Sequence, residues 1–283
     1  MTTSHPDPAY RPQDHEEEFD WSSWYLTYEE DMGQSPEQLE CILILLSAIQ
    51  QWLIETERGH LYAGADVFFG WRPDHELVQI SPDVFVFEPP AGFMDQGSIQ
   101  VWKPGHNPPL VAVEIVSKDW KKDYIDLDRK YDQLGAQELI VFDPHAARGT
   151  PPLPGLSAPE RGMRQPLQVW VRDAQGSLVR TRATGQRPVY SEALGAWWVI
   201  TTTRHGPRLR VARDEQGRDL IATAEEARRS AEEAREFAEE AREAAEEALA
   251  QEERARRAAE RAHEEALAEI ARLRAALGEE GGT

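Results

Sequence analysis

From Ala224 onward the sequence repeats every seven residues, AEEARRS, AEEAREF, AEEAREA, AEEALAQ, and this repeat sets the strongest limit on how the chain can fold. Ala falls at 224, 227, 231, 234, 238, 241, 245 and 248, alternating steps of three and four that make a heptad seam flanked by Glu and Arg at ion-pair spacing. Ala favours helix strongly but buries little area. The repeat therefore predicts a long helix, solitary or coiled with a partner, and no core of its own. Ala266, Ile270, Leu273 and Leu277 make a better seam, displaced by an extra step of four as in a stutter. Any oligomeric contact is expected to be strongest there.

All nine Trp lie upstream of this repeat, the last at Trp198. The core must be built from about the first 200 residues, and one aromatic-rich head plus a helical tail is expected. The boundaries read as a disordered acidic N-terminus over 1–20, a head over 21–218, a heptad tail over 219–278 and a disordered end over 279–283. The formal charge is −20, and from Ile221 onward 18 acidic residues face 10 basic ones, so the tail carries −8 of it. Such acidity argues against coating nucleic acid by bulk electrostatics, which draws on clustered Lys and Arg. The longest apolar run, Cys41–Ile49, is too short to cross a bilayer, and the acidic, Pro-rich start does not resemble a signal peptide. With a single cysteine, Cys41, no internal disulfide is available. A cytoplasmic protein without membrane contact is expected.

Ser35-Pro36-Glu37-Gln38 before LECILILLSAIQQWLIE predicts a helix, with Ser35 as N-cap, Pro36 at the first position and Gln38 placed as in a capping box. Leu39, Ile42, Leu43, Leu46 and Ile49, with Leu45 and Leu53 beside them, predict a wide buried face. Strands are expected near Tyr62–Phe69, Leu77–Ile80, Val84–Phe87, Leu110–Val116, Leu139–Phe142, Leu167–Val171 and Leu178–Arg182, with another at Ala196–Thr202. Leu209–Val211 and the turn Asp214–Gly217 read as a final hairpin, and Ala147–Pro166 as a loop. Tyr124, Leu127, Tyr131 and Leu134 give Asp123–Leu134 helical spacing, ended by Gly135. Strand, helix, strand at this length is a crossover unit, so the head reads as mixed α/β or α+β.

Two carboxylates stand among β-formers, Asp83 in Ser81-Pro82-Asp83-Val84 and Glu114 in Val113-Glu114-Ile115-Val116-Ser117-Lys118. A charge buried there without a partner costs several kcal/mol. Two acids from adjacent strands can instead share a hard divalent cation, with waters and a phosphate oxygen completing the shell. Other constellations are missing from the sequence: there is no HExxH, GxxxxGK[ST], GxGxxG or GxSxG, and one Cys cannot build a zinc finger.

Pro82-Asp83, then Glu114-Ile115-Val116-Ser117, then Asp123, Tyr131, Gly135 and Glu138 leading into Val141-Phe142-Asp143-Pro144, resemble the Uma family of putative restriction endonucleases within the PD-(D/E)XK nuclease superfamily. The resemblance spans about Leu26 to Val211. It implies a restriction-endonuclease-like core with a mixed sheet flanked by helices, here followed by a long C-terminal helix or coiled coil. It also implies a Mg²⁺ (or Mn²⁺)-dependent endonuclease acting on DNA, with Asp83 and Glu114 as metal ligands. The superfamily lysine two residues after the second acid is replaced by Val116, and the alternative position on the following helix falls on Leu127. Lys118 is the nearest substitute, on the same side as residues 114 and 116 if the strand continues, and Lys130 is the next.

Structural readings stand beside these. Pro-Asp is a common turn element, Asp66 a strand-edge acid at a position where the family often has Asp, and Glu37 first a dipole-complementing residue and second a further acid of the site. Lys118, Lys121 and Lys122 read as a solvated turn or as a phosphodiester clamp, and Trp120 as rim packing or a base-stacking ring. Two functions follow: a DNA endonuclease, or a nuclease fold without turnover that binds DNA or protein and forms a homo-oligomer through its C-terminal helix.

Overall fold

A computed structural model of the chain describes residues 20–25, 35–95, 97–117, 124, 126–149, 164–183, 185 and 187–280, with the backbone alone for 95 and 275–280. The expectations for residues 1–19, the 150–163 part of the loop, Lys118 to Asp123 and 281–283 lie outside the described residues. The chain divides into two compact units, Met1–Ala224 and Glu225–Thr283.

In the first unit, helix α1 (Pro36–Glu55) begins as the sequence predicts, with the Ser35 hydroxyl accepting from the Gln38 N–H at 3.2 Å and Pro36 at the start. Cys41, Ile42, Leu45, Ala48, Ile49 and Leu53 are buried, whereas Leu39 and Leu43 are 45% and 57% exposed. The buried stripe is thus narrower than expected, although strands of two different sheets pack against the helix. By length and hydropathy α1 also qualifies as a membrane span, contrary to the reading from the Cys41–Ile49 run. Its six residues inside the core give its apolar character a simpler cause. Burial pushes the Cys41 thiol up to about 11, so it is an inert core side chain.

The larger of these sheets is six-stranded and mixed. Its strands are β1 (Tyr62–Gly64), β4 (Val84–Phe87), β6 (Val111–Ile115), β7 (Glu138–Phe142), β8 (Leu167–Arg172) and β9 (Leu178–Ala183), in that spatial order. Only β6 and β7 run parallel; every other neighbouring pair is antiparallel. Between the parallel strands lies α2 (Leu127–Leu134), which buries Leu127, Tyr131 and Leu134 at helical spacing. It stops at Gly135, whose φ of 92° suits a residue without a Cβ. The predicted crossover is therefore present, with a shorter helix than expected.

Strand β6 shows the two-residue period directly. Val111, Val113 and Ile115 pack with α1, while Ala112 and Val116 join the opposite cluster with Tyr131 and Leu134. Beside this cluster Tyr62, Phe69, Phe85, Phe87 and Phe93 meet edge to face or tilted, with centroids 4.9 to 6.3 Å apart. The segment read as one strand, Tyr62–Phe69, is two: β1 belongs to the large sheet, whereas β2 (Phe68–Gly70) pairs with β3 (Gln79–Ile80) and β5 (Ser98–Gln100) in a small one. Asp66 lies in the exposed turn between them at φ 57°. A third sheet joins β10 (Val189–Ser191), β11 (Ala196–Thr203) and β12 (Gly206–Ala212). β11 and β12 form a tight hairpin, and the expected reversal after Val211 follows it: the Gly217 N–H bonds the Asp214 carbonyl at 3.0 Å, and an antiparallel Ala212–Leu220 bridge and the Ile221 N–H to Val211 carbonyl bond close the return.

Glu138, at the start of β7, ties the large sheet to the third one. It accepts hydrogen bonds from the Ser191 hydroxyl and, at 3.0 Å, from the Ala193 N–H. Burial, the largest influence, pushes its carboxyl above the ordinary 4.5, against the pull of those donors. The folded state therefore binds the proton more tightly than the unfolded chain, and stability should fall as pH rises from 4.5 through the raised value. Urea midpoints on either side of that window should move less in Glu138→Gln than in the wild type.

In the second unit the expected helix is α4 (Ala224–Glu280), 57 residues long, which follows the four-residue α3 (Pro144–Ala147) in chain order. From Arg228 to Arg274 every described side chain is exposed. Ion pairs along it, such as Arg242–Glu246 and Arg256–Glu260 at 3.2 Å, supply the i, i+4 support the repeat predicts.

Candidate active site

The register of β4 against β6 pairs Val84 with Val113, which sets Asp83 across from Glu114 where β4 begins and β6 ends. Asp83 Oδ2 accepts from the Ile115 N–H at 2.7 Å. Its two oxygens also accept from the side-chain amide of Gln38, at 3.1 and 3.3 Å, and the same nitrogen donates to the Ile115 carbonyl at 3.3 Å. On the other side, Glu114 Oε1 accepts from the Tyr131 hydroxyl at 2.5 Å. Tyr131 is fully buried, and burial, then the charge of Glu114 and the bond to it, then Asp83, push its hydroxyl well above the ordinary 10. It therefore stays a neutral donor that orients Glu114.

The two acids, 31 positions apart in the sequence, are thus brought together by strand pairing. With the Ile115 carbonyl they form a set of hard oxygen donors at one end of the sheet, and an amide NH₂ stands among three of those oxygens. This donor chemistry fits a hard divalent cation. Among the described residues no group of three or more His, Cys, Asp or Glu side chains gathers as a metal site.

The remaining sequence candidates lie elsewhere. Glu37 turns away from Asp83 and pairs with Arg148, and it stands 3.7 Å from the fully buried Arg208. Glu40 joins the same network, 2.6 Å from Arg208 and 3.0 Å from His205, and the Arg208 bond first, then the His205 bond, hold its carboxyl below the usual range. Glu37 is thus a fastening for the first turn of α1. Lys130 sets its ammonium 5.8 Å over the Trp24 ring. Asp66 occupies its exposed turn. Lys118 lies outside the described residues, and β6 ends at Ile115, three residues before it. Val116 and Leu127, at the two family lysine positions, are both buried in apolar surroundings.

Three groups at the site were not singled out from the sequence: the Gln38 amide, the Ile115 backbone and the role of Tyr131 as a donor to Glu114. The signal for Gln38 was present but pointed to a capping box. Its backbone N–H does reach Ser35, whereas its side chain reaches the acids.

The fold is a mixed α+β core in which two carboxylates stand opposite each other at neighbouring strand ends. Over residues 28–203, more than half of its length, the sequence matches the Uma2 family, described as "Putative restriction endonuclease", and the chain belongs to that family. No curated protein matches it. Three solved chains do. One, described as a putative nuclease belonging to DUF820 from Anabaena variabilis ATCC 29413, aligns over 58% of this chain and 75% of its own, at 16% identity and TM-score 0.35.

Proposed function

We propose that this protein is a divalent-metal-dependent endonuclease hydrolysing DNA phosphodiester bonds. The observation that carries the reading is the Asp83–Glu114 pair, held at one sheet end beside the Ile115 carbonyl in a chain of the Uma2 family. When bound, Mg²⁺ or Mn²⁺ supplies Lewis-acid charge and an activated water. Asp83 and Glu114 hold it. The Ile115 N–H fixes the rotamer of Asp83, and Tyr131 fixes that of Glu114 without giving up its proton. Lys118, or Lys130 released from Trp24, supplies positive charge toward the phosphate. The setting is the reducing cytoplasm, consistent with the buried thiol of Cys41.

Two apolar side chains at the family lysine positions favour a second reading, a nuclease fold without turnover that serves as a binding module. Incubating plasmid DNA with the purified chain and Mg²⁺, Mn²⁺ or EDTA separates the two, with Glu114→Ala alongside. Metal-dependent nicking lost in the variant supports the nuclease. Nicking that persists in Glu114→Ala removes this site from the reaction, and no nicking with any metal leaves the binding module.

Assembly through α4 belongs to the same proposal, with the Ile270 and Leu273 region as the contact between copies. Removing residues 225–283 should leave a single cooperative melt and lower the number of copies per particle measured by light scattering. An unchanged copy number would place the contact elsewhere.

A further inference from the structure

The amide of Gln38 is placed with more precision than a half-buried glutamine near a helix start requires. Its one nitrogen faces both oxygens of Asp83 and the Ile115 carbonyl, at 3.1, 3.3 and 3.3 Å. An NH₂ group has two hydrogens and no acceptor of its own, so three oxygens converging on it make a point of negative potential filled by a neutral donor. The backbone behind it is fixed. Ser35 caps the helix, and Glu37 and Glu40 tie the same turn to Arg148 and the buried Arg208.

These oxygens belong to the set that would hold the cation of the proposed function, and on that reading this inference rests. We propose that the Gln38 amide is a metal-free occupant of the Asp83 side of the site, a neutral stand-in that competes with the divalent ion and must swing aside for it. The two cannot share the position, since the N–H bonds would point at the ion. Glutamine suits the task for three reasons. Its partial positive charge quiets Asp83 without a full charge. Its flexible stem leaves without moving the helix. Its hydrogen bonds, each weak in net terms, set a modest barrier to metal entry. A lysine here would compete more strongly, and an alanine not at all.

The test is Mn²⁺ binding to the full chain by titration calorimetry, with melting curves in EDTA and in Mn²⁺. Gln38→Ala and the volume-conserving Gln38→Met are expected to bind Mn²⁺ about fivefold more tightly than the wild type. Both should melt lower in EDTA and gain more from Mn²⁺. Gln50→Ala, which removes an amide bonded to the Ala63 carbonyl on the same helix, should leave affinity unchanged, and Asp83→Asn should abolish binding. Unchanged affinity in both Gln38 variants overturns the inference while the nuclease reading stands. Weaker affinity overturns it too, and assigns the amide oxygen as a ligand. If neither the wild type nor the variants bind Mn²⁺, the metal reading itself fails and takes this inference with it.

Discussion

Exchanging Asp83 for Asn should lower metal-dependent plasmid cleavage by on the order of a thousandfold while the fold persists. The substitution is isosteric, and the amide oxygen still accepts from the Ile115 N–H, which is 2.7 Å from the carboxylate in the wild type. What it removes is a negative charge and one oxygen. The new NH₂ also meets the NH₂ of Gln38 at a position where a carboxylate oxygen accepts from it. Initial nicking rates, with circular dichroism melts of both proteins, check the expectation. A rate within tenfold of the wild type at equal folded fraction would exclude Asp83 as a metal ligand.

The second large effect concerns stability. Asp143 is completely buried and binds Arg164 through both oxygens, at 2.7 Å each. It also caps α3 through the His145 and Ala146 N–H groups, at 3.0 and 2.8 Å, and accepts from the Tyr124 hydroxyl at 3.2 Å. Asp143→Ala removes both carboxylate bonds from a guanidinium that is 11% exposed and leaves the helix cap unmade. Breaking such a buried pair from one side costs about 3–5 kcal/mol. Urea denaturation should show that loss. The double variant Asp143→Ala, Arg164→Met should recover part of it, because the buried charge that lost its carboxylate is then removed as well. Full additivity of the two single losses would mean that the pair is not coupled.

Much of the scaffold is legible in the sequence where the signal is local. Ser35 and Pro36 announce α1, Gly135 ends α2, and the heptads draw α4 almost to the residue. The acid pair is legible too, because charges among β-formers are costly unless something requires them. What escapes is everything decided by a partner far along the chain. Tyr62–Phe69 reads as one strand, yet its halves join different sheets through a turn at Asp66. Leu39 and Leu43 fit the helical stripe, but neither of the two sheets that pack on α1 buries them. Gln38 shows the limit most clearly. Ser-x-x-Gln is a capping signal, and half of it is used as such; the side chain bonds Asp83, 45 positions away, because strand pairing offers better acceptors there. Glu37, one residue earlier and so about 100° round the helix, is turned to the arginine network instead.

The order in which the chain folds matters for when it can act. The bonds at the acid pair span 17, 32 and 45 positions, joining α1, β4, β6 and α2, and β6 must also find its parallel partner β7 across a crossover. Such non-local closures come late and slowly. A chain still emerging from synthesis, or opened locally at the β4–β6 seam, holds no cluster of oxygens able to compete for scarce cations. Under the proposed metal-dependent cleavage, activity can begin only after synthesis has passed β7, and a later opening of the β4–β6 seam ends it.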